Sequence, residues 1–471
     1  GASRLIQRIG RSNHRLDLPS RAILVPGNRF EVLECRAAID AIRSHELDGR
    51  VRRAGGLDVL AQHILGMACA APFRADDLYD EVRLAAPYQD LARQEFDDAL
   101  GFVETGGYAL SAYPRWHRLR RYSGDSFRVA SPRAAQQYRM NIGTIVEATT
   151  LKIRLGRAKV LGEVEEYFIQ GLVPGDTFVF AGLVLRFEGV FENSAIVSKA
   201  PPGTDPRVPA YEGGRLPLTT ELAARVRAIL ADRRSWRDLP EPVREWLEVQ
   251  RWRSELPRAD GLLVESFPRA NRDYLVAYCF EGRNAHQTLG MLLTRRMERA
   301  GLHPMGFVAT DYAISIWSLK PATDLDALFD QDMLGDDLEE WMADSTLLKR
   351  TFRKVGVIAG LIERRFPGAE KSGRQLTISS DLIYDVLRTH QPDHVLLRAT
   401  RADAAEGLID LRRVAEMLGR VKGRIVHRKL DRVSPLAVPV LLQIGREGVE
   451  GDAVDQILEE AAEELVREAM T

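Results

Sequence analysis

The chain has 471 residues, more than one ordinary domain holds, so roughly two to four domains are expected. Hydrophobic residues make up 45% and charged residues 28%, the balance of a soluble globular protein, and no apolar run approaches the roughly 18 residues of a membrane span. The formal net charge of -1 at pH 7 excludes a basic character for the whole chain, so any basic surface must be local. The N-terminus is polar and basic and does not read as a signal peptide. Cys35, Cys69 and Cys279 are too widely spaced for a disulfide framework or a zinc site, and read as buried small hydrophobes in a reducing cytoplasm.

In chain order, the apolar run 22–25 is bounded by Pro19 and Pro26 and reads as a buried strand. Asn28 can cap a helix running through Cys35, Ala38, Ile39 and Ile42. After Gly55-Gly56, apolar residues at Leu57, Leu60, Ile64, Leu65 and Ala68 predict a helix over 57–69. A second helix near 75–82 has Asp76 and Asp77 in its first turn, and a third spans 91–104. Gly106-Gly107, a strand at 108–110 and the string Arg115-Trp116-His117-Arg118-Leu119-Arg120-Arg121 complete a winged-helix pattern, which can read DNA or brace other domains. Runs rich in β-branched and aromatic residues at 145–155, 177–187 and 190–197 predict an antiparallel sheet or barrel, with a helix near 164–172 and a turn at Asn193-Ser194. The Pro- and Gly-rich stretch 200–214 reads as a long surface loop. Helices at 219–232 and 241–252, strands at 261–266 and 273–280, a helix at 284–300 and strands around Phe307 and 313–317 form an α+β segment. The rest is mainly helical, with a wing-like strand at 424–430 and an amphipathic, acidic last helix at 452–470.

The opening string Gln7-Arg8-Ile9-Gly10-Arg11-Ser12-Asn13-His14-Arg15 has the order of the last motif of superfamily 2 helicases. A glycine lets backbone approach a phosphate, and an arginine offers a planar fork of donors to phosphate oxygens. Downstream come Tyr138-Arg139-Met140-Asn141-Ile142-Gly143-Thr144-Ile145, then Gly162-Glu163-Val164-Glu165-Glu166-Tyr167-Phe168 and Pro174-Gly175-Asp176-Thr177-Phe178, and finally Ser434-Pro435-Leu436-Ala437-Val438-Pro439. With these strings, nearly the whole chain resembles the C-terminal part of ligase-associated DEXH-box helicases of the Lhr (large helicase-related) family. The resemblance implies an α+β multidomain chain. Residues 1–48 would be the end of a second RecA-like domain, 49–122 a winged helix, and 123–471 an accessory module. That module would have a β-barrel-like core (β-rich 140–200, α+β 215–320) and helical, winged-helix-like parts (321–471).

The family is implied to move 3′ to 5′ on single-stranded DNA with ATP and Mg2+, unwinding duplexes and RNA–DNA hybrids in DNA repair. It is implied to work in functional association with an ATP-dependent DNA ligase and a nuclease, in the cytoplasm at the bacterial nucleoid, away from membranes. The chain contains no Gly-x-x-x-x-Gly-Lys-Ser/Thr loop and no Asp-Glu-x-His box, the elements that hold ATP phosphates and magnesium. Both ligands would therefore be bound mainly by a motor domain outside this chain, and the chain alone is expected to hydrolyse no ATP. Two other readings are a non-catalytic nucleic-acid-binding module and a protein-interaction scaffold built on the acidic C-terminal helices.

Several site residues follow. Gln7, Arg8, Gly10 and Arg11 are assigned to the nucleotide cleft, with Arg11 as the ATP sensor and either His14 or Arg15 completing the grip. Tyr211 occupies the place where the wider family often carries a tryptophan implied to stack on a base; the alternative is a loop tyrosine packed on its own domain. Ile142 and Ile145 are candidates for a wedge against the strand, or else two core isoleucines. Arg115, Arg118, Arg120 and Arg121 are candidates for phosphate contact. Arg283, at a glycine-arginine corner before a helix, could receive a phosphate or belong to a tight turn with an internal ion pair. His390 and His394 have a helical ligand spacing that Pro392 breaks, and no metal is assigned.

Overall fold

The structure, a computed structural model, describes residues 1–12, 18–48, 54–146, 150–156, 159–165, 168–169, 172, 174–180, 183–191, 194–201, 218–335, 337–338, 347–371, 373–405, 410–443 and 465–470. Two helices open it, α1 (Ala2–Ile9) and α2 (Arg29–Arg43). The second starts where Asn28 predicts: its side chain accepts the Glu31 N–H at 3.0 Å, satisfying a first-turn donor. Its apolar stripe docks through Phe30, which stacks on Tyr312 at 4.6 Å and meets Trp246 edge-on at 5.0 Å. The expected strand at 22–25 does not form. Ile23 and Val25 are 89% and 85% exposed, and no described strand pairs with this run, so its backbone has no ladder to join.

The winged helix is present as α3 (Leu57–Ala70), β1 (Phe73–Arg74), α4 (Ala75–Arg83), α5 (Arg93–Thr105), β2 (Leu119–Ser123) and β3 (Ser126–Val129). Its strands pair antiparallel in the order β1-β3-β2. The strand expected at 108–110 is instead one 3₁₀ turn, Tyr108–Leu110. Gly106 and Gly107 both stand at φ +82°, which ends α5 and turns the chain before a strand can begin. Then α6 (Pro132–Asn141) starts on a Ser131 cap.

A five-stranded sheet follows, made of β4 (Thr150–Leu155), β5 (Lys159–Glu165), β6 (Thr177–Phe180), β7 (Leu183–Phe191) and β8 (Ser194–Lys199). Its order is β5-β4-β8-β7-β6, with β4 and β8 parallel and the other pairs antiparallel. Among the described residues β5 and β6 remain open edges, so the barrel-like core implied by the resemblance is not seen. Val164 lies in β5, so the helix expected near 164–172 does not open there, although 168–169 are helical. The turn expected at Asn193-Ser194 falls where β7 passes to β8, Ser194 pairing with Phe191 and Asn193 lying outside the described residues; the run expected over 177–187 divides between β6 and β7.

The α+β segment contains α7 (Thr220–Ala231), α8 (Glu241–Arg253), β9 (Leu262–Arg269), β10 (Arg272–Ala277), α9 (Arg283–Arg299), β11 (Pro304–Ala309) and β12 (Ile314–Ser318). Beyond it come α10 (Leu347–Ile358), a hairpin of β13 (Arg365–Phe366) and β14 (Ala369–Glu370), α11 (Gly373–His390), α12 (Val395–Asp403), α13 (Leu411–Val421) and β15 (Ile425–Lys429). The last strand is not a wing. It joins the α+β sheet in parallel with β9, Ile425 opposite Leu262, giving the order β11-β12-β10-β9-β15. One face of that sheet buries Leu289, Leu293, Val414 and Met417 of α9 and α13. The opposite face buries Leu33, Leu222 and Trp246 of α2, α7 and α8.

Helices α10 to α12 complete a different core. Phe352, Leu387 and Leu396 pack with Ile64, Phe96 and Phe102 of the winged helix, although more than 240 residues separate them. Of the last predicted helix only 465–470 is described; it is helical, with Leu465 and Ala469 buried. Cys279 is fully buried, which pushes its thiol up to about 12, while Cys35 and Cys69 are half-buried.

Candidate nucleic-acid interface

The opening motif caps α1. Gly10 N–H donates to Ile6 O at 2.8 Å, and Arg11 N–H to Arg8 O at 3.1 Å. Gln7, Arg8, Gly10 and Arg11 are all exposed, and neither arginine meets a carboxylate among the described residues. Gly10 has an ordinary right-handed backbone, φ -63°, so no special conformation requires glycine here. His14 and Arg15 lie outside the described residues, as does Tyr211.

The basic string of the winged helix divides by environment. Arg118 is buried. Its Nη1 donates to Ala359 O at 3.0 Å, its guanidinium lies over the Phe102 ring, and burial pushes its pKa down to about 10. It fastens the winged helix to the end of α10 and is thereby withdrawn from the surface role considered for it. Arg121 is exposed but engaged, at 3.3 Å from Glu104 and over the Phe127 ring. Arg115 lies over Trp116 at 3.9 Å, and Arg120 points to solvent; neither meets a carboxylate among the described residues.

Helix α6 leads to the two isoleucines. Asn141, its last residue, clamps the β13 hairpin: Oδ1 accepts from Arg364 N at 3.0 Å and Arg365 N at 2.8 Å, and Nδ2 donates to Arg365 O at 3.1 Å. From α3, Gln62 Nε2 donates to Gly143 O at 3.1 Å and to Ile358 O at 2.6 Å. Past this double clamp, Ile142 and Ile145 stand 55% and 93% exposed, so the core alternative for them does not hold. Arg133 and Arg139 on the same helix are exposed and without a carboxylate partner among the described residues. Sequence reasoning missed this helix; the signal was Arg133, Gln137 and Asn141 at intervals of four on one face.

Arg283 is turned inward. Its N–H donates to Asp311 Oδ1 at 3.0 Å and its Nε to Ala309 O at 3.1 Å, so it is engaged within the chain at the start of α9. Beside it lies a second unforeseen cluster. The buried Glu281 carboxylate receives Arg420 at 2.7 Å, Arg227 at 3.4 Å and Arg413 at 3.5 Å. Burial pushes Arg227 down to about 10, assisted by the neighbouring Arg420. His286, also buried, is pushed down to about 3 and is neutral; its Nε2 accepts the Glu281 N–H at 3.0 Å. His394 caps α12, its Nδ1 accepting from Leu396 N at 3.2 Å, with Nε2 3.2 Å from Gly106 O. Among the described residues no group of three or more His, Cys, Asp and Glu is placed to hold a metal ion, and no helix is long and apolar enough to cross a membrane.

A winged helix braced by a distant helical block is thus followed by an α+β sheet with helices on both faces. Residues 40–206 match the family described as "Large helicase-related protein, winged helix domain", and residues 256–437 match that described as "DEAD/H associated". The chain belongs to the large helicase-related (Lhr) family. It is 27% identical over 453 residues to the "ATP-dependent helicase Lhr-Core" of Methanocaldococcus jannaschii, covering 92% of this chain and 53% of that protein. It is 27% identical over 497 residues to "ATP-dependent helicase Lhr-Core protein 2" of Thermococcus barophilus, covering 99% and 56%. In fold it is similar to Mycobacterium smegmatis helicase Lhr, solved bound to ssDNA and AMP-PNP, with TM-score 0.70 and 21% identity over 93% of this chain and 55% of that one. The chain therefore spans about half the length of the relatives it matches.

Proposed function

We propose that this chain is the C-terminal portion of an ATP-dependent DNA helicase that tracks along single-stranded DNA 3′ to 5′ and separates duplexes or RNA–DNA hybrids during repair. The Mycobacterium smegmatis neighbour's bound ssDNA and AMP-PNP support this reading of polymer and nucleotide. The observation that carries it here is the exposed pair Ile142 and Ile145, held at the seam of two modules, with Arg139 on the helix leading to them exposed and meeting no carboxylate among the described residues. Exposed aliphatic side chains can wedge between base steps, and arginines neutralise phosphates. Gln7, Arg8, Gly10 and Arg11, with His14 or Arg15, would face ATP and Mg2+ held by the motor. Tyr211 would stack on a base of the tracking strand. Arg120 and Arg121 would extend the phosphate contacts along β2. The domain division follows the same reading: 1–48 the end of the motor, 49–122 the winged helix, 123–471 the accessory module. An association with an ATP-dependent DNA ligase and a nuclease belongs to this proposal, as does a cytoplasmic, nucleoid-associated site of action.

Titrating a labelled oligonucleotide against the 471-residue chain at several salt concentrations tests the reading. The expected outcome is binding that weakens steeply with salt, without ATP turnover. Turnover by this chain, or affinity indifferent to salt, overturns it.

A further inference from the structure

A groove of about 560 Å³ runs between α6 and the turn 359–363, with Ile142 on its rim. Its walls come from modules far apart in sequence, the winged helix with α6 on one side and α10 to α11 on the other. We propose that this groove is a second nucleic-acid track, taking the strand displaced at Ile142 and Ile145. The inference rests on the helicase reading above and deepens it by assigning the strand that is not tracked.

Position is the first argument. Where two strands part at a wedge, they must leave by different routes. Ile142, 55% exposed, is itself part of the groove's lining, so a strand leaving on that side enters it directly. Charge is the second. The lining carries Arg115 and Arg133 against Glu363, while Arg118 is buried in the wall and bonded to Ala359 O. Arg115 and Arg133 are exposed and meet no carboxylate among the described residues, whereas a polyanion supplies one acceptor per nucleotide. Stacking surface is the third. The half-buried rings of Tyr138 and Phe366 stand in the groove, and the exposed Arg115 guanidinium covers the buried Trp116 ring at 3.9 Å. Flat groups of this kind accept any base, as a displaced strand of arbitrary sequence requires. Rigidity is the fourth. Gln62 bonds Gly143 and Ile358, and Asn141 bonds Arg364 and Arg365, so both walls are held at a fixed place relative to Ile142.

The test compares two substrates on the same 471-residue chain: a single strand, and a forked duplex with a free second arm. The Arg115→Glu/Arg133→Glu double variant should bind the fork about tenfold or more weakly, from two lost phosphate contacts, and the single strand within about twofold of the parent. Both side chains are exposed, and an unchanged circular dichroism spectrum confirms folding. Independently, 4-thiothymidine placed in the second arm just beyond the junction should photo-crosslink to peptides of α6 or of the turn 359–363. Equal loss on both substrates gives the groove to the tracking strand and overturns the proposal. So does a fork affinity that stays at the parental value, or a crosslink mapping elsewhere. If the parent chain binds neither substrate, the helicase reading itself fails, a result distinct from all of these.

Discussion

Two sets of arginines in this chain have opposite fates. Around Glu281, Arg227, Arg413 and Arg420 converge on one buried carboxylate and join α7, α13 and the end of the α+β sheet. Around Ile142, Arg115, Arg133 and Arg139 are exposed and meet no carboxylate among the described residues. The first set is consumed by the fold; its charges hold elements together in a medium that penalises a lone ion. The second set contributes little to folding, because an exposed guanidinium is already well solvated. It remains available for a polyanion. Residue type alone does not separate the two, and the partner's position in space does.

The contrast can be broken most sharply at the motor end. Arg11 is exposed and meets no carboxylate among the described residues, like the second set, and is assigned to ATP. In the full-length protein, Arg11→Ala should cut DNA-dependent ATP hydrolysis by about 10³ to 10⁵, the range of an arginine finger, with nucleotide-free DNA affinity unchanged. Steady-state phosphate release measures this. Activity within a few-fold of the parent removes Arg11 from the role.

Next in size is the consumed set. Glu281→Gln leaves three guanidinium groups facing a neutral amide in a buried site. Breaking a buried ion pair from one side costs about 3–5 kcal/mol, so urea unfolding should show a loss of that order. A loss below about 1 kcal/mol would mean that the cluster is better solvated than its burial implies.

A third test uses pH at the seam between the winged helix and α12. Burial pushes His394 down to about 4 from its ordinary 6.5. Above pH 6.5 neither folded nor unfolded chain binds a proton there, and the group adds no pH dependence. Between 6.5 and about 4 the unfolded chain takes up a proton and the folded one does not, so stability falls as pH falls. The total is on the order of 3 kcal/mol. Asparagine also caps helices well. His394→Asn should therefore lose less stability than the parent between pH 7 and 4. Buried acids such as Glu265, whose pKa is raised by burial, act in the opposite sense but are common to both proteins. Parallel stability curves for the two would refute this protonation account.

How much was legible in the sequence follows from how local each cause is. The helices α2, α3, α4 and α5 were legible because Asn28, the apolar spacing from Leu57 to Ala68 and the acidic start at Asp76 act within a few residues. The run 22–25 has strand composition but no neighbouring strand, and composition does not report a neighbour. The strand 424–430 was found, yet its place beside β9 depends on a partner 163 residues away. The site shows the same limit. Arg118 and Arg120 are two positions apart in one basic string, but Ala359, some 240 residues on, captures the first and leaves the second in water.

That pair supplies the smallest and most discriminating measurement. A phosphate contact contributes to the salt dependence of binding, with a slope of about 0.7 per contact on single strands. If Arg120 touches a phosphate, Arg120→Ala should reduce the slope of log K against log salt by about that amount, with a modest loss of affinity that is uniform across sequences. Arg121 is a more demanding case, because Glu104 at 3.3 Å already neutralises part of its charge. Arg121→Ala should change the slope by less, since any phosphate it meets must compete with that carboxylate. Equal slopes for both variants would mean that the Glu104 pair opens on binding, and an unchanged slope for Arg120→Ala would remove β2 from the interface while leaving α6 and its groove in place.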